Sequence, residues 1–207
     1  MHRPMILVAA VILMLVLVPG ASLAKPKINI PKERLREGVY TSPAGEFTLK
    51  VPDGLGKDLG TRAEERQTGP GQWGVFFVND FGRVFFVLWT DQSAGKKSLE
   101  ELTADIQVGD MVRSKTVVDT ARGPQVRVAG VAKNGSPMKL TRLRDGKMTE
   151  EPLDLGKASS LFLHGDFFYE VSAGVTRAHD DMTDEMLLEN ANAMLEASLG
   201  GLTFPGP

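Results

Sequence analysis

Apolar residues form one long run near the start of the chain and then short runs separated by turn residues. The long run covers residues 5–18, follows the basic Arg3, and is succeeded by the small residues Ser22 and Ala24. This order is typical of an export signal. The run is shorter than the roughly 20 residues that a helix needs to span a bilayer. We therefore predict a signal peptide over residues 1–24, a periplasmic or secreted location, and no stable membrane span after cleavage.

The remaining pattern predicts one domain with short flanking segments. Residues 25–37 carry five basic side chains and two prolines without a sustained apolar period, so we predict a flexible polar leader. Residues 38–204 are predicted to form a single domain, which at this length buries enough apolar surface to fold alone. Residues 205–207 form a short tail.

Within the domain, short apolar runs alternate with turn residues, which predicts β-hairpins. The clearest pair covers residues 75–78 and 84–89, on either side of a turn that contains Gly82. Because strand side chains alternate between faces, uninterrupted apolar runs place bulk on both faces, and both faces need cover. Further strands are predicted near residues 39–40, 47–51, 115–120, 125–133, 138–144, 160–163 and 167–174. We expect surface loops over residues 53–71 and 147–157.

Two segments have the pattern of amphipathic helices. Ser98 and Glu101 have the spacing of a capping box, which starts a helix that we expect to end near Gly109. The second helix is predicted to begin at Thr183 or Asp184 and to stop at Gly200 and Gly201. One face of that helix carries its smaller and apolar side chains, namely Leu187, Ala191, Met194, Leu195 and Ser198. The predicted fold class is α+β, an antiparallel sheet of hairpins covered by helices on both faces.

Three stretches give the chain a resemblance to a known family. Residues 40–52 form an opening hairpin that ends at proline, residues 167–171 form a late aromatic strand, and residues 191–204 form a closing helix followed by a short strand. In this order of elements the chain resembles the PsbP-like superfamily, named for the extrinsic protein of photosystem II. The resemblance implies an αβα sandwich and an exported, non-catalytic module that binds or supports another protein. No binding residue of that family is carried over.

Composition and motifs argue against several classes of function. The chain has 24 Lys and Arg against 26 Asp and Glu, whereas nucleic-acid binders usually present a strongly basic face. It has no cysteine, which excludes thiol catalysis, disulfides and Cys-ligated zinc. No serine lies in a Gly-x-Ser-x-Gly elbow, and no phosphate-binding glycine motif is present. We therefore predict no nucleic-acid partner, no cofactor, no catalytic residue and no enzymatic activity.

The best cluster of candidate metal ligands precedes the second helix. It consists of one imidazole and three carboxylates, those of His179, Asp180, Asp181 and Asp184. Such a set matches the ligands of a hard or borderline divalent cation. Acidic residues at a helix start also oppose the positive end of the helix dipole and cap free amides without any ligand. Capping is the favoured interpretation, and we predict no bound metal.

Aromatic side chains leave two functions open. Tyr40, Trp73, Trp89 and Tyr169 are suited either to a ligand pocket or to the core, and core packing is the commoner role. The first function is that of a non-enzymatic module that binds or assembles with another, unknown envelope protein. The alternative is a carrier of an apolar or amphipathic small molecule, which the two-sided apolar hairpin would suit.

Overall fold

The structure, a computed structural model, describes residues 28–53, 55, 61–136, 139–144 and 147–205. The predicted signal peptide lies outside the described residues, as do residues 25–27 of the predicted leader and the last two residues of the tail. Within the described part of the chain, no helix is long and apolar enough to cross a membrane.

The described residues form fourteen strands and two helices. In chain order these are β1 Ile28–Asn29, β2 Leu35–Arg36, β3 Val39–Thr41, β4 Thr48–Lys50, β5 Arg62–Gly69, β6 Gln72–Val78, β7 Arg83–Asp91, α1 Leu99–Thr103, β8 Ser114–Thr120, β9 Gly123–Ala132, β10 Lys139–Arg144, β11 Lys147–Pro152, β12 Leu155–His164, β13 Phe167–Thr176, α2 Asp184–Gly200 and β14 Leu202–Thr203.

The main sheet has eight strands in the order β1-β5-β6-β7-β13-β12-β9-β8. The predicted β6–β7 hairpin is confirmed and lies at its centre, where Phe76 faces Phe86 and Phe77 faces Phe85 across the two strands. The prediction of an antiparallel sheet needs a correction, because β1 pairs with β5 in parallel. The sheet is therefore mixed. A smaller sheet has the order β14-β4-β3-β2, and β10 and β11 form a separate two-stranded ribbon.

One face of the main sheet, here called the long-helix face, is covered by α2 and the smaller sheet. The helix packs across β12 and β13. Gly156 of β12 makes this close approach possible, since a Cβ atom there would lie 2.6 Å from Cβ of Leu187. Phe47 links the two sheets, because its ring packs edge-on against Trp89 at 5.1 Å and against Tyr169 at 5.8 Å. Aromatic rings therefore fill the space beneath the helix.

The opposite face, here called the short-helix face, is covered in part by α1 and the segment that follows it. Phe86 and Leu88 are buried there in one apolar cluster. Leu99 of α1 packs against a second cluster that contains Val126 and Leu161. The segment after α1 crosses β9 so closely that a Cβ atom on Gly130 would lie 1.8 Å from the carbonyl oxygen of Met111.

The predicted cover of both faces by helices is therefore only partly present. The long-helix face carries a helix of 17 residues, whereas α1 has five residues and packs beside β9 and β12. The predicted capping box of Ser98 and Glu101 is present. The helix ends at Thr103, before the predicted end near Gly109, and the ammonium of Lys115 donates to the carbonyls of Thr103 and Ile106, at 2.7 and 3.1 Å. These bonds satisfy carbonyl groups that a longer helix would pair internally.

The domain also begins before the predicted boundary at residue 38. Within the predicted leader, β1 joins the main sheet, β2 joins the smaller sheet, and Ile30 is buried. The predicted loop over residues 53–71 contains β5, a strand of eight residues. The buried Glu65 of β5 is stabilised by Arg34 and by the Tyr40 hydroxyl, at 2.5 and 2.6 Å. The predicted loop over residues 147–157 contains β11 and the start of β12.

The burial of Phe86 gives a direct test of the covered short-helix face. Phe86 is 4% exposed, so Phe86→Ala is expected to lower the free energy of unfolding by about 3 to 5 kcal/mol. Phe81 is 67% exposed, and Phe81→Ala is the matched control, expected to change stability by less than about 0.5 kcal/mol. Denaturant melts measure both. A loss below about 1 kcal/mol for Phe86→Ala would contradict burial on this face.

Candidate functional site

A groove of about 580 Å³ runs along α2 and lies between that helix, the chain after β4, and the adjacent ends of β7 and β13. Its size falls within the range of about 300 to 1,000 Å³ that is usual for binding pockets. Its lining residues come from five separate segments of the chain, and they are Lys50, Val51, Pro52, Asp53, Arg83, Val175, Met182, Asn190, Ala193, Met194, Ala197, Gly200 and Gly201.

Small residues on one flank of α2 keep the groove open. Asn190, Ala193 and Ala197 recur at helical spacing and are exposed, so this flank presents little bulk. Gly201 ends the helix, and its carbonyl accepts the amide of Lys50 at 2.9 Å. This bond holds the strand β4 against the end of α2. The width of the groove thus depends on small side chains and on one main-chain contact.

The chemistry of the groove is mixed. Met182, Met194 and Val175 supply apolar surface, whereas Lys50 and Arg83 supply positive charge. Among the residues that the structure describes, neither cation forms an ion pair with a carboxylate. An apolar surface bordered by such cations is suited to a ligand that carries apolar groups and a negative charge.

A network of charged side chains fixes the N-terminal end of α2, opposite the end at Gly201. Asp184, the first helical residue, accepts hydrogen bonds from Arg113 and Arg177, and Lys133 lies 3.4 Å from it. Lys133 also contacts Asp154 at 3.0 Å, and Arg177 contacts the same carboxylate at 3.3 Å. These residues flank the ends of β8, β9, β12 and β13, so the network ties four strand ends to the start of the helix. The network positions the helix against the sheet on which the groove is built.

The same network shifts the acidity of its carboxyl groups. Burial alone would raise the pKa of Asp184, but the hydrogen bonds from Arg177 and Arg113 outweigh it and hold that pKa below its usual value. Burial likewise opposes ionisation of Asp154, yet the Lys133 ammonium and the Asn134 amide keep the pKa of Asp154 low. Both groups are therefore charged at neutral pH.

The predicted metal ligands have separate environments. His179, Asp180 and Asp181 are exposed in the turn before α2, where the carbonyl of His179 accepts the amide of Met182 at 3.2 Å. Asp184 instead belongs to the ion network. Within the described residues, no three or more histidine, aspartate or glutamate side chains gather closely enough to hold a metal ion. Thr183 is the N-cap, and its hydroxyl accepts the amide of Met186 at 3.2 Å.

The aromatic candidates divide between core and surface. Tyr40, Trp89 and Tyr169 are buried in the core beneath α2, whereas Trp73 is 37% exposed. Burial raises the pKa of the Tyr40 hydroxyl, and the bonded Glu65 raises it further. None of these four side chains lines the groove. His164 stacks on Phe204 with 3.9 Å between ring centroids, so it too lies away from the groove.

A buried polar cluster lies on the short-helix face. The carboxylate of Glu170, 3% exposed, contacts Lys157 at 3.0 Å and accepts the Ser172 hydroxyl at 2.9 Å. Ser172 in turn shares a hydrogen bond of 2.7 Å with Ser159. Both contacts use Oε1 of Glu170, whereas its Oε2 is buried and has no hydrogen-bond partner among the described residues. The cluster therefore joins β12 to β13, and we assign it a structural role.

Sequence reasoning missed the groove residues. Met194 was assigned to the core face of the helix, and in the structure it is half-buried between the core and the groove. A second row of small residues at positions 190, 193 and 197 was the available signal. No sequence signal pointed to Lys50, Arg83 or Met182, because only the tertiary fold brings these residues together.

Comparison with known proteins finds likenesses in structure. A crystal structure from Bacteroides thetaiotaomicron matches 82% of this chain and 48% of its own, at 14% identity and a TM-score of 0.43. The chain thus spans about half the length of that protein. The solution structure of cyanobacterial PsbP from Synechocystis matches 81% of this chain and 91% of its own, at 9% identity and a TM-score of 0.46.

A PsbP protein is thus among the solved structures to which this chain is similar. No protein-family model and no curated protein matches the sequence.

The lowered pKa of Asp184 predicts a specific response to acid. A carboxyl group whose pKa is lower in the folded chain stabilises the fold above its unfolded pKa, about 3.9, and this contribution is lost as the pH falls through the folded value. Asp184→Asn is therefore expected to lower the melting temperature at pH 7 and to reduce its further fall below about pH 4. Melting curves across pH measure both effects.

Asp181→Asn is the matched control, because Asp181 is exposed and forms no ion pair with the residues that the structure describes. Its acid dependence should match that of the unaltered protein. Equal acid dependence in Asp184→Asn and Asp181→Asn would show that the network does not stabilise the fold.

The separate environments of His179, Asp181 and Asp184 predict a response to metals. Calcium, magnesium and zinc at about 1 mM are expected to leave the melting temperature unchanged, since a ligand stabilises only by binding the folded state preferentially. Differential scanning fluorimetry measures this. A saturable rise that Asp181→Asn abolishes would instead establish a metal site at His179 and its neighbours.

Proposed function

We propose that this protein is an exported, non-enzymatic module that binds another protein of the cell envelope through the groove along α2. The observation that carries the proposal is the composition of that groove. It combines methionine side chains, small helical residues and two cations that pair with no carboxylate of the described residues. The location outside the cytoplasm comes from the predicted signal peptide.

A polypeptide segment fits the groove better than a compact ligand. The groove is lined by α2 from Asn190 to Gly200 and by Met182 in the turn before the helix, and it is open to the surface. Methionine side chains adapt to irregular apolar partners because they are unbranched and flexible. Helices and extended segments commonly bind in such grooves through a few apolar anchors. The partner would therefore present apolar side chains along one edge.

Charge adds a second feature to the expected partner. Lys50 and Arg83 border the groove, and Asp53 is the one carboxylate among its described lining residues. A partner segment with an acidic side chain would pair with these cations, which would fix its register and hasten its association. Phe81 lies two residues before Arg83 and is 67% exposed, so it offers an aromatic anchor beside the cation.

The groove also supports the non-enzymatic part of the proposal. Its described lining contains no serine, threonine or histidine. Acid–base hydrolysis of glycosides generally needs two carboxyl groups, and nucleophilic hydrolysis needs an activated nucleophile. The described lining offers neither arrangement.

A variant that fills the groove tests the proposal. Ala197 is exposed in the groove, so Ala197→Trp is expected to block the partner and to lower the affinity at least about tenfold, or about 1.4 kcal/mol. Asn192→Trp introduces the same side chain on a flank of α2 outside the groove, and this variant should bind normally. The affinity-tagged protein is incubated with envelope extract, the recovered partner is identified, and its affinity for each variant is measured.

Protein binding, small-molecule carriage and enzymatic turnover predict different results with the same purified proteins. Equal binding by Ala197→Trp and by the unaltered protein would contradict the groove as the binding site. A small molecule that native mass spectrometry detects on the unaltered protein, and that Ala197→Trp excludes, would favour the carrier function. Reproducible turnover of an ester, peptide or glycoside that is lost on mutation of one carboxylate, with folding intact, would overturn the non-enzymatic function.

A further inference from the structure

The strand β8 forms an open edge of the main sheet. Among the described strands it pairs only with β9, and its seven residues show no break in register. Val117 is 68% exposed and Val118 is 40% exposed on this strand. An edge of this kind presents unpaired main-chain amides and carbonyls, which makes it a template for another strand.

The side chains of β8 are arranged so that the strand complements itself. Lys115 and Asp119 lie at equal distances on either side of Val117, and all three point to the same face because they are separated by two and four positions. The Lys115 ammonium is held in place by the carbonyls of Thr103 and Ile106. Opposite charges that face each other across an antiparallel pair are stabilising.

We propose that β8 binds β8 of a second copy of this chain in an antiparallel pair, with Val117 opposite Val117 on a two-fold axis. In this register Lys115 of each copy faces Asp119 of the other, so the interface contains two pairs of opposite charges. Thr116 then faces Val118. Self-complementary contacts of this kind are the rule in symmetric dimers.

The dimer joins two eight-stranded sheets into one continuous sheet and removes the open β8 edge from both. None of the described groove residues belongs to β8, so each copy keeps its groove. This inference therefore goes beyond the proposed function and stands or falls independently of it. A dimer would present two grooves to a partner or to two partners.

The absence of cysteine from the chain allows a register-specific test. Residues opposite each other in an antiparallel pair have Cα atoms about 4.5 to 5.5 Å apart, within the range for a disulfide. In Val117→Cys, the two introduced thiols should therefore join under mild oxidation into a covalent dimer. In the matched variant Thr116→Cys, the two equivalent Cα atoms would be about 8 Å apart, beyond the reach of a disulfide.

Non-reducing gel electrophoresis of the two purified single-cysteine variants measures the cross-linking. At least a tenfold excess of covalent dimer in Val117→Cys over Thr116→Cys supports the proposed register. Equal or absent cross-linking in both variants overturns it. Melting curves taken under reducing conditions show that both variants are folded.

Sedimentation of the protein without cysteines gives a second, independent readout. The average mass should rise from monomer toward dimer as concentration increases from about 1 µM to about 1 mM, as expected for a small interface. In Asp119→Lys, the new lysine of each copy would face Lys115 of the other copy. This repulsion should keep the variant monomeric over this range. A monomeric mass for the unaltered protein throughout the range would contradict the dimer.

Discussion

The structure depends on one constraint, which is that the β6–β7 hairpin of the main sheet carries buried apolar side chains on both faces. Phe77 and Phe85 face one side of the β6–β7 hairpin, and Phe76 and Phe86 face the other. Water must be excluded from both sides for these strands to be stable. Two close approaches meet this need. The helix α2 lies on Gly156, and the segment after α1 lies on Gly130. A side chain at either glycine would push the cover away from the sheet.

The groove is a consequence of how the long-helix face is covered. The helix α2 buries one row of side chains, including Leu187, Ala191 and Leu195, and leaves an adjacent flank of small residues exposed. The ion network around Asp184 fixes the start of the helix, and the contact between Lys50 and Gly201 fixes its end. The helix is therefore held at both ends while its flank stays open. Such a rigid frame is suited to binding, because little conformational entropy is lost when a partner docks.

Local patterns sufficed to predict the elements that local chemistry determines. Consecutive β-branched and aromatic residues predicted β6 and β7, and the Thr183 cap with its apolar spacing predicted α2. The strand β5 was missed because charged residues dominate it, and its buried Glu65 is stabilised by Arg34 and Tyr40, partners that are distant in sequence. The parallel pairing of β1 was missed because its partner β5 is distant in the sequence, with Ile28 opposite Ala63. The groove was beyond sequence reasoning because its lining comes from five segments that only the tertiary fold assembles.

The central claim is that another envelope protein binds in the groove along α2. Hydrogen exchange of the full chain, alone and in complex with the envelope protein that it captures, tests this claim most directly. The account predicts slower exchange in the complex for residues 50–53 and 190–201, with exchange in α1 unchanged. Unchanged exchange in both of those segments, with slowing elsewhere on the surface, would contradict it.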